Sequence, residues 1–416
     1  MNKFSKYTYF LNINGLYFIY NLTNGQAIAL NSKIYERIKS TASSIDKLNN
    51  IHPDLYKNLH NFGFVVDTEI DEEQSLIESF KRLDKNPEYF NIIVNPTLDC
   101  NLNCWYCYET HQKGSMMNQQ VMDSVKKLIE TKISDNKLKQ LNVSFFGGEP
   151  LLGWNNVIYP LLSYAKTQCE NRNITLSTGF TTNGVLLQRP ILKKLAELGL
   201  EKSSFQISLD GNRQCHDKSR VGIGNKPTYD IIMNNILLAL EENFNISLRF
   251  NYTPDNIFCF KDVIEDLKSI PLAFRENLRC NFQKIWQSGE KSENLKKNVF
   301  NYINELRDNG FNVGSDFIFH RHICYADKEN SIVINYNGDL FKCTAREFSN
   351  GNRKGVLLND GTLKWNDKYF KRMNIKYSNP LCLKCKILPI CNGGCSTNKL
   401  EKKIPTTSCQ RRTNML

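Results

Sequence analysis

The stretch TLDCNLNCWYCYET, beginning at Thr97, sets thiols at Cys100, Cys104 and Cys107 with gaps of three and then two residues. Thiolates are soft ligands for zinc and for iron–sulfur clusters, so three in one short loop point to a metal centre. A structural zinc site closes with four ligands, often as two paired hairpins, and no second pair stands near this loop. A four-iron cluster presents four iron corners. Three thiolates from one loop would hold three corners and leave the fourth iron open for chemistry. Spacing alone leaves zinc and cluster both open, and the compactness of the loop favours the cluster.

A second concentration of cysteine lies towards the C-terminus. Of the 14 cysteines, seven are Cys324, Cys343, Cys382, Cys385, Cys391, Cys395 and Cys409, while Cys169, Cys215, Cys259 and Cys280 are scattered. The gaps after Cys382 are two, five, three and thirteen residues. In a short secreted chain such clusters would suggest disulfides. In a cytosolic chain of 416 residues they suggest metal or cluster ligation.

These residues need a scaffold, and the chain reads as three regions. Residues 1–85 begin with YTYFLNI and LYFIYNL around Asn14-Gly15, then GQAIALN after Asn24-Gly25, which are strand patterns joined by tight turns. Helical patterns follow in SKIYERIKSTASSIDKLNN and DLYKNLHNFGFVV. The expectation is a small α+β unit, a three-stranded antiparallel sheet followed by short helices, with KRLDKNPEY as the joint. Residues 86–310 alternate six β-branched or aromatic runs (FNIIVNP, LNVSFFG, ITLSTGFTTN, FQISLDG, ISLRFNYT and LRCNFQKIW) with helix-period segments. That alternation predicts an α/β fold, a parallel sheet curled into a partial (β/α)6 TIM-like barrel. Ligands of such folds collect at the C-terminal strand ends. Cys100, Gly147, Asn183 and Asp210 all fall just past predicted strand ends. Residues 311–416 combine weak periodicity, frequent turns and dense cysteine, so bound metal is expected to organise them.

Taken in order, CNLNCWYC, FFGGEP, TTNG and SLDG resemble the radical S-adenosylmethionine (SAM) superfamily over roughly residues 90–290. The resemblance implies that Cys100, Cys104 and Cys107 hold a [4Fe–4S] cluster whose open iron is chelated by SAM. Cleavage of the sulfonium would give a 5′-deoxyadenosyl radical, with the protein orienting the cofactors and excluding water. It implies that Gly147, Gly148, Glu149 and Pro150 meet the methionyl amino group, glycine allowing close backbone approach. Tyr106 is placed beside the adenine, and Thr182, Asn183, Ser208 and Asp210 near the ribose and carboxylate. Arg220, in HDKSRVGIGNKPTYD, would clamp the SAM carboxylate. Trp105 is read as packing.

The seven C-terminal cysteines resemble the SPASM extension of these enzymes, which binds auxiliary [4Fe–4S] clusters. Carried over, Cys382, Cys385, Cys391 and Cys409 would enclose an outer cluster, and Cys324, Cys343 and Cys395 would hold an inner one. The remaining inner corner is left to Cys280 or to a substrate thiolate, and three clusters are expected in all. The first 85 residues resemble the winged-helix-like elements that bind a precursor's leader as an added strand along a sheet edge. The implied activity is maturation of a ribosomal precursor peptide by a crosslink (thioether, C–C or C–O) or related change. The alternative is an anaerobic sulfatase-maturing, formylglycine-generating enzyme. The implied partners are a leader-bearing precursor and an external electron donor such as flavodoxin or ferredoxin.

Composition narrows the alternatives. Hydrophobic residues at 41% and charged residues at 23% fit a globular chain. No apolar run approaches the roughly 20 residues of a membrane-spanning helix, and the basic, aromatic N-terminus does not read as a signal peptide. A cytoplasmic protein without a membrane partner is therefore expected. Lys and Arg outnumber Asp and Glu by 54 to 42, for a formal charge of +12. The cations are spread along the chain rather than gathered in dense runs, so no nucleic-acid partner is expected.

Overall fold

The computed structural model describes residues 1–289, 293–314 and 323–401, so Cys409 lies outside the described residues. The chain forms two compact units. The first comprises the described residues of Met1–Asn86, Phe317–Glu329 and Phe370–Leu416. Its chain begins with β1 (Asn2–Phe4), β2 (Thr8–Ile13), β3 (Leu16–Asn21) and β4 (Ala27–Leu30). There follow α1 (Ser32–Ser40), α2 (Asp46–Ile51), α3 (Pro53–Asn61), β5 (Val65–Asp67) and α4 (Glu72–Asp84). The expected antiparallel sheet is present in the order β2-β3-β4. Asn14 and Gly15 turn its first hairpin at positive φ, 51° and 81°.

Two features lay outside the local pattern. β1 pairs antiparallel with β5 across some sixty residues of chain. Helix α4 occupies half of the expected joint, because the Asp71 carboxylate caps its start, accepting from the Glu73 and Gln74 amides at 3.0 Å each. Ile19, Ile38, Leu48, Leu59 and Phe64 form one apolar core of this unit. A second core joins Tyr7, Leu22, Leu76 and Phe80 to Leu388 and Ile390, so the first and last segments of the chain share buried surface. Two buried ion pairs accompany it, Lys376 to Asp84 at 2.8 Å and Arg372 to Asp327 at 2.9 Å.

The second unit holds Pro87–Asp316 and Asn330–Tyr369. Its elements run β6 (Tyr89–Val94), β7 (Leu102–Cys104), α5 (Gln119–Ile133), β8 (Gln140–Phe145), α6 (Tyr159–Glu170), β9 (Thr175–Thr182) and α7 (Arg189–Glu197). They continue with β10 (Ser204–Leu209), α8 (Arg213–Ser219), β11 (Arg220–Gly222), α9 (Tyr229–Glu241), β12 (Asn245–Tyr252), α10 (Phe260–Lys268) and the single turn α11 (Leu272–Arg275). The last are β13 (Leu278–Lys284), α12 (Glu293–Asp308), β14 (Asn312–Val313), β15 (Ser331–Ile334), β16 (Asp339–Phe341), β17 (Gly355–Leu357) and β18 (Leu363–Trp365).

The six expected strands are β6, β8, β9, β10, β12 and β13, each parallel to the next in chain order. They form the middle of an 11-stranded sheet. β14 extends one edge, and β15 joins β6 on the other, followed by the antiparallel β16, β17 and β18. One face of the strands carries the core: Ile92, Val143, Phe205, Ile207, Leu248 and Cys280 are buried against the helices. The alternating positions are polar. Asn142 donates to Asn91 at 2.6 Å, and Ser177 donates to Asn142 at 3.0 Å, a row of side chains across three strands. Among the described residues no helix is long and apolar enough to cross a membrane.

Candidate functional site

The three-cysteine loop leaves the C-terminal end of β6 and is held by its own polar residues. The Asp99 carboxylate accepts from the amides of Cys100 at 2.8 Å and Gly114 at 3.0 Å, closing the loop across its base. β7, which ends at Cys104, pairs antiparallel with β11, and the register sets Arg220 directly opposite Cys104. The thiols of Cys100, Cys104 and Cys107 are all free. Burial raises the pKa of each, and Cys100, with Glu149 beside it, is pushed up to about 12. Among the described residues no three His, Cys, Asp or Glu side chains converge on the position of one ion.

The turn after β8 packs backbone to backbone on that loop. The Gly148 amide donates to the Thr97 carbonyl at 3.2 Å, and the Glu149 amide to the Asp99 carbonyl at 2.8 Å. A Cβ on Gly147, whose φ is +123°, would sit 2.2 Å from the Thr97 carbonyl oxygen, and one on Gly148 2.2 Å from that of Asp99. Both positions accept glycine alone without displacing the loop. Pro150 follows as a buried residue of the next turn.

Glu149 is fully buried, and its carboxylate is occupied by protein donors. It accepts from the Leu151 amide at 3.0 Å, the Thr182 hydroxyl at 2.7 Å and the Asn183 amide at 2.7 Å. The side chain thus ties the β8 turn to the end of β9. Burial pushes its carboxyl pKa up, and these donors oppose the shift. Asn183 reaches back to the cysteine loop, donating to Asn101 at 2.6 Å with its amide 3.9 Å from the Cys100 sulfur.

A second network forms beneath Tyr106. Its hydroxyl donates to Asp210 at 3.0 Å and accepts from Arg220 at 2.7 Å and Asn251 at 3.1 Å. Asp210, fully buried at the end of β10, also accepts from Ser219 at 2.7 Å. Burial raises the Asp210 carboxyl, while Arg220 and the three donors pull it back. Burial also works against the charge of Arg220. Tyr106, Cys104 and Asp210 outweigh it and hold the guanidinium's pKa well above its usual value. The Nε of Arg220 remains buried without a hydrogen-bond partner, a donor free for a ligand.

Ser208 lies one residue from the end of β10, on the face opposite buried Ile207 and Leu209. Trp105, read as packing, is 58% exposed and donates to Ser219 at 3.1 Å.

Several residues here carried no sequence signal. Asn251, on β12, bridges Tyr106 and Asp210, and Gln287 holds the Tyr106 carbonyl at 2.7 Å. Asn251 does lie near a strand end, the one cue that was available. Glu109, two residues past Cys107, has both carboxyl oxygens buried and unpartnered. Burial, and then Glu347, push its carboxyl up to about 9.

The C-terminal cysteines divide between the units. Cys343 follows β16 in the second unit, next to Thr344, whose carbonyl accepts from the Tyr108 hydroxyl at 2.6 Å. Cys324, Cys382, Cys385, Cys391 and Cys395 belong to the first unit, where the thiols of Cys385 and Cys395 are free. Cys280, considered as a further ligand, lies on β13. Strand alternation puts it on the core face with Leu278 and Phe282, and its thiol is fully buried among hydrocarbons. Cys215 and Cys259, scattered in the sequence, are joined as a disulfide behind Gly211.

Comparison with known proteins places these motifs. Residues 94–267 match the Radical SAM superfamily. Fe-coproporphyrin III synthase of Methanosarcina barkeri is 32% identical over 174 residues, 42% of this chain and 39% of the synthase, so this chain spans well under half of that relative. The radical SAM cyclopropyl synthase TigE of Paramaledivibacter caminithermalis is 25% identical over 393 residues, 84% of this chain and 77% of TigE. Among solved structures, anSMEcpe with bound AdoMet superposes with a TM-score of 0.56 at 18% identity, over 73% of this chain and 88% of its own. Streptococcus suis SuiB, solved with the precursor peptide SuiA, gives a TM-score of 0.51 at 17% identity, over 97% of each chain. At these identities the two structures establish a shared fold.

Proposed function

We propose, on the premise that residues 94–267 are a radical SAM domain and the chain a radical SAM enzyme, that it matures a ribosomally made precursor peptide. The change installed is a crosslink, thioether, C–C or C–O, or a related modification. The observation that carries the SAM-dependent part is convergence. The cysteine loop, the GGEP turn, the ends of β9 and β10 and the Arg220 strand are hydrogen-bonded into one assembly at the C-terminal edge of the sheet. The peptide substrate is supported by the similarity to TigE along most of the chain and by the fold shared with SuiB along nearly all of it.

The residues present fit the cofactors. Three free thiols in one braced loop suit three corners of a [4Fe–4S] cluster. The orphaned Arg220 Nε suits a carboxylate such as that of SAM. When bound, cluster and SAM supply the 5′-deoxyadenosyl radical that removes a substrate hydrogen atom. Cys100, Cys104 and Cys107 would hold the iron. The backbone of Gly147 and Gly148 allows close approach, followed by Pro150, and Glu149 acts by positioning the β9 end rather than by contact. Thr182, Asn183 and Ser208 would face the ligand, while Asp210 and Asn251 orient Tyr106 and Arg220. Two auxiliary clusters on the C-terminal cysteines, a leader-binding role for β2, β3 and β4, and an external electron donor complete the reading.

A formylglycine-generating maturase is the second reading, favoured by the superposition with anSMEcpe. That superposition leaves about a quarter of this chain uncovered, which weighs against it.

Anaerobic reconstitution tests the reading. The wild type should contain iron and acid-labile sulfide and release 5′-deoxyadenosine from SAM when reduced. Replacing Cys100, Cys104 and Cys107 together by Ala should lower that release at least a hundredfold while iron on the C-terminal cysteines persists. A colourless, sulfide-free protein, or SAM cleavage that survives the triple replacement, would overturn it. A precursor peptide that loses hydrogen on incubation, against a sulfatase peptide that gains an aldehyde, separates the two readings.

A further inference from the structure

Cys107 has a neighbour to which the motifs assign no role. The ring Nε2 of His111, four residues on, lies 3.4 Å from the Cys107 sulfur, within hydrogen-bond reach. The Cys107 thiol is free, and the backbone amide of Glu109 hydrogen-bonds the same sulfur. The three loop thiols are electrostatic neighbours, for the charge of Cys104 is felt at both Cys100 and Cys107. The chain on either side of the ring is fixed by protein groups alone. The Cys107 amide donates to the Cys104 carbonyl at 3.1 Å, and the Gln112 amide to the Leu98 carbonyl at 3.1 Å. The Gln112 side chain accepts from the Tyr336 hydroxyl at 2.9 Å, and the Gly114 amide donates to Asp99 at 3.0 Å. The approach of His111 to Cys107 is thus built into the backbone. Between a thiol and an imidazole either atom can donate. A ligating cysteine has lost its proton, so its sulfur only accepts. The bond then requires the form of the ring that carries hydrogen on Nε2.

We propose that His111 donates a hydrogen bond from Nε2 to the Cys107 sulfur when that sulfur holds the loop's cluster, and thereby raises the cluster's reduction potential. This rests on the reading of Cys100, Cys104 and Cys107 as ligands. Reduction adds negative charge to the cluster and its sulfurs, so a donor aimed at one of them favours the reduced state. His111 acts through Cys107 and is therefore a positioning residue. Backbone amides meet these sulfurs too, that of Leu102 lying 3.5 Å from Cys100. Those donors belong to any sequence that folds this way, whereas the His111 ring is a donor that a single substitution removes. Its effect is to ease entry of the electron from the external donor.

The test uses the full-length chain reconstituted anaerobically, the loop's cluster being the EPR component that changes when SAM is added. If no such component forms, or if it survives replacement of Cys100, Cys104 and Cys107 by Ala, the ligand reading falls and this inference falls with it. With the component present, potentiometric titration compares the wild type with His111→Leu, which has no donor, and His111→Gln, whose amide keeps one. The expected result for His111→Leu is unchanged iron and a more negative midpoint. The shift should correspond to about a tenfold change in the reduced-to-oxidised ratio, about 59 mV for one electron. His111→Gln should stay closer to the wild type. A midpoint that is unchanged or more positive in His111→Leu overturns this proposal and leaves the ligand reading standing. An equal shift in both variants assigns the effect to packing and also overturns it. If His111→Leu loses the cluster, wild-type protein labelled with 15N-histidine decides. A histidine nitrogen coupled to the component in pulsed EPR supports the bond, and its absence overturns it.

Discussion

At the scale of single residues, burial decides what each polar group can do. Glu149 and Asp210 are fully buried carboxylates, yet each is met by donors, three for Glu149 and three for Asp210, so they act as braces within the site. Glu109 is the contrasting case, because nothing hydrogen-bonds its buried oxygens. Its pKa rises from 4.5 in the unfolded chain to about 9. A carboxyl shifted upward takes up a proton on folding, so stability falls as pH rises between those two values. The loss from this group is at most about 1.4 kcal/mol per pH unit. Glu109→Gln removes the titration and should gain stability over the wild type progressively across that interval. Urea midpoints of the cluster-free proteins, measured at several pH values, check this, and a difference that does not grow with pH refutes it.

At the scale of elements, the site is an encounter between loops that leave neighbouring parallel strands. The β8 turn lies so close to the cysteine loop that side chains are excluded at two successive positions. Gly148→Ala should force the loop outward. Overpacking of this kind costs about 1–3 kcal/mol, and on the proposed reading release of 5′-deoxyadenosine should fall at least tenfold. Gly351→Ala is the control, since its Cβ would meet only the Ser349 hydroxyl at an ordinary 3.6 Å. Equal activity in the two variants would show that the contact does not position the loop. The same logic explains Arg220: the pairing of β7 with β11 carries it to Cys104, over a hundred residues earlier in the chain.

At the scale of the molecule, each unit is assembled from distant stretches of sequence. In the first, the core around Tyr7 and Phe80 is completed by Leu388 and Ile390, and Lys376 is buried against Asp84. Burial raises the Asp84 carboxyl, with Lys376 opposing the shift. Removing one member of such a pair strands a charge and costs about 3–5 kcal/mol, whereas replacing both by apolar residues is far milder. Lys376→Met should therefore destabilise the protein more than the double variant Asp84→Leu/Lys376→Met does. Chemical denaturation measures both, and additive losses would dismiss the coupling. Deleting residues 1–80 would also strip Leu388 and Ile390 of their partners.

The sequence by itself determined the elements and their order. Period-2 and helical patterns marked the six parallel strands and the N-terminal hairpins, and motif spacing put Cys100, Gly147, Asn183 and Asp210 at strand ends, because these signals are local. Only the tertiary structure decided what those ends meet. It set Arg220 against Cys104, gave Asn251 its place under Tyr106, filled the Glu149 carboxylate with internal donors and sent Cys280 into the core. It also added β15–β18 to the sheet and joined the first eighty-odd residues to the cysteine-rich segment in one unit. Pairing and packing between positions far apart in the chain depend on the whole set of buried surfaces, and no local pattern of residues encodes them.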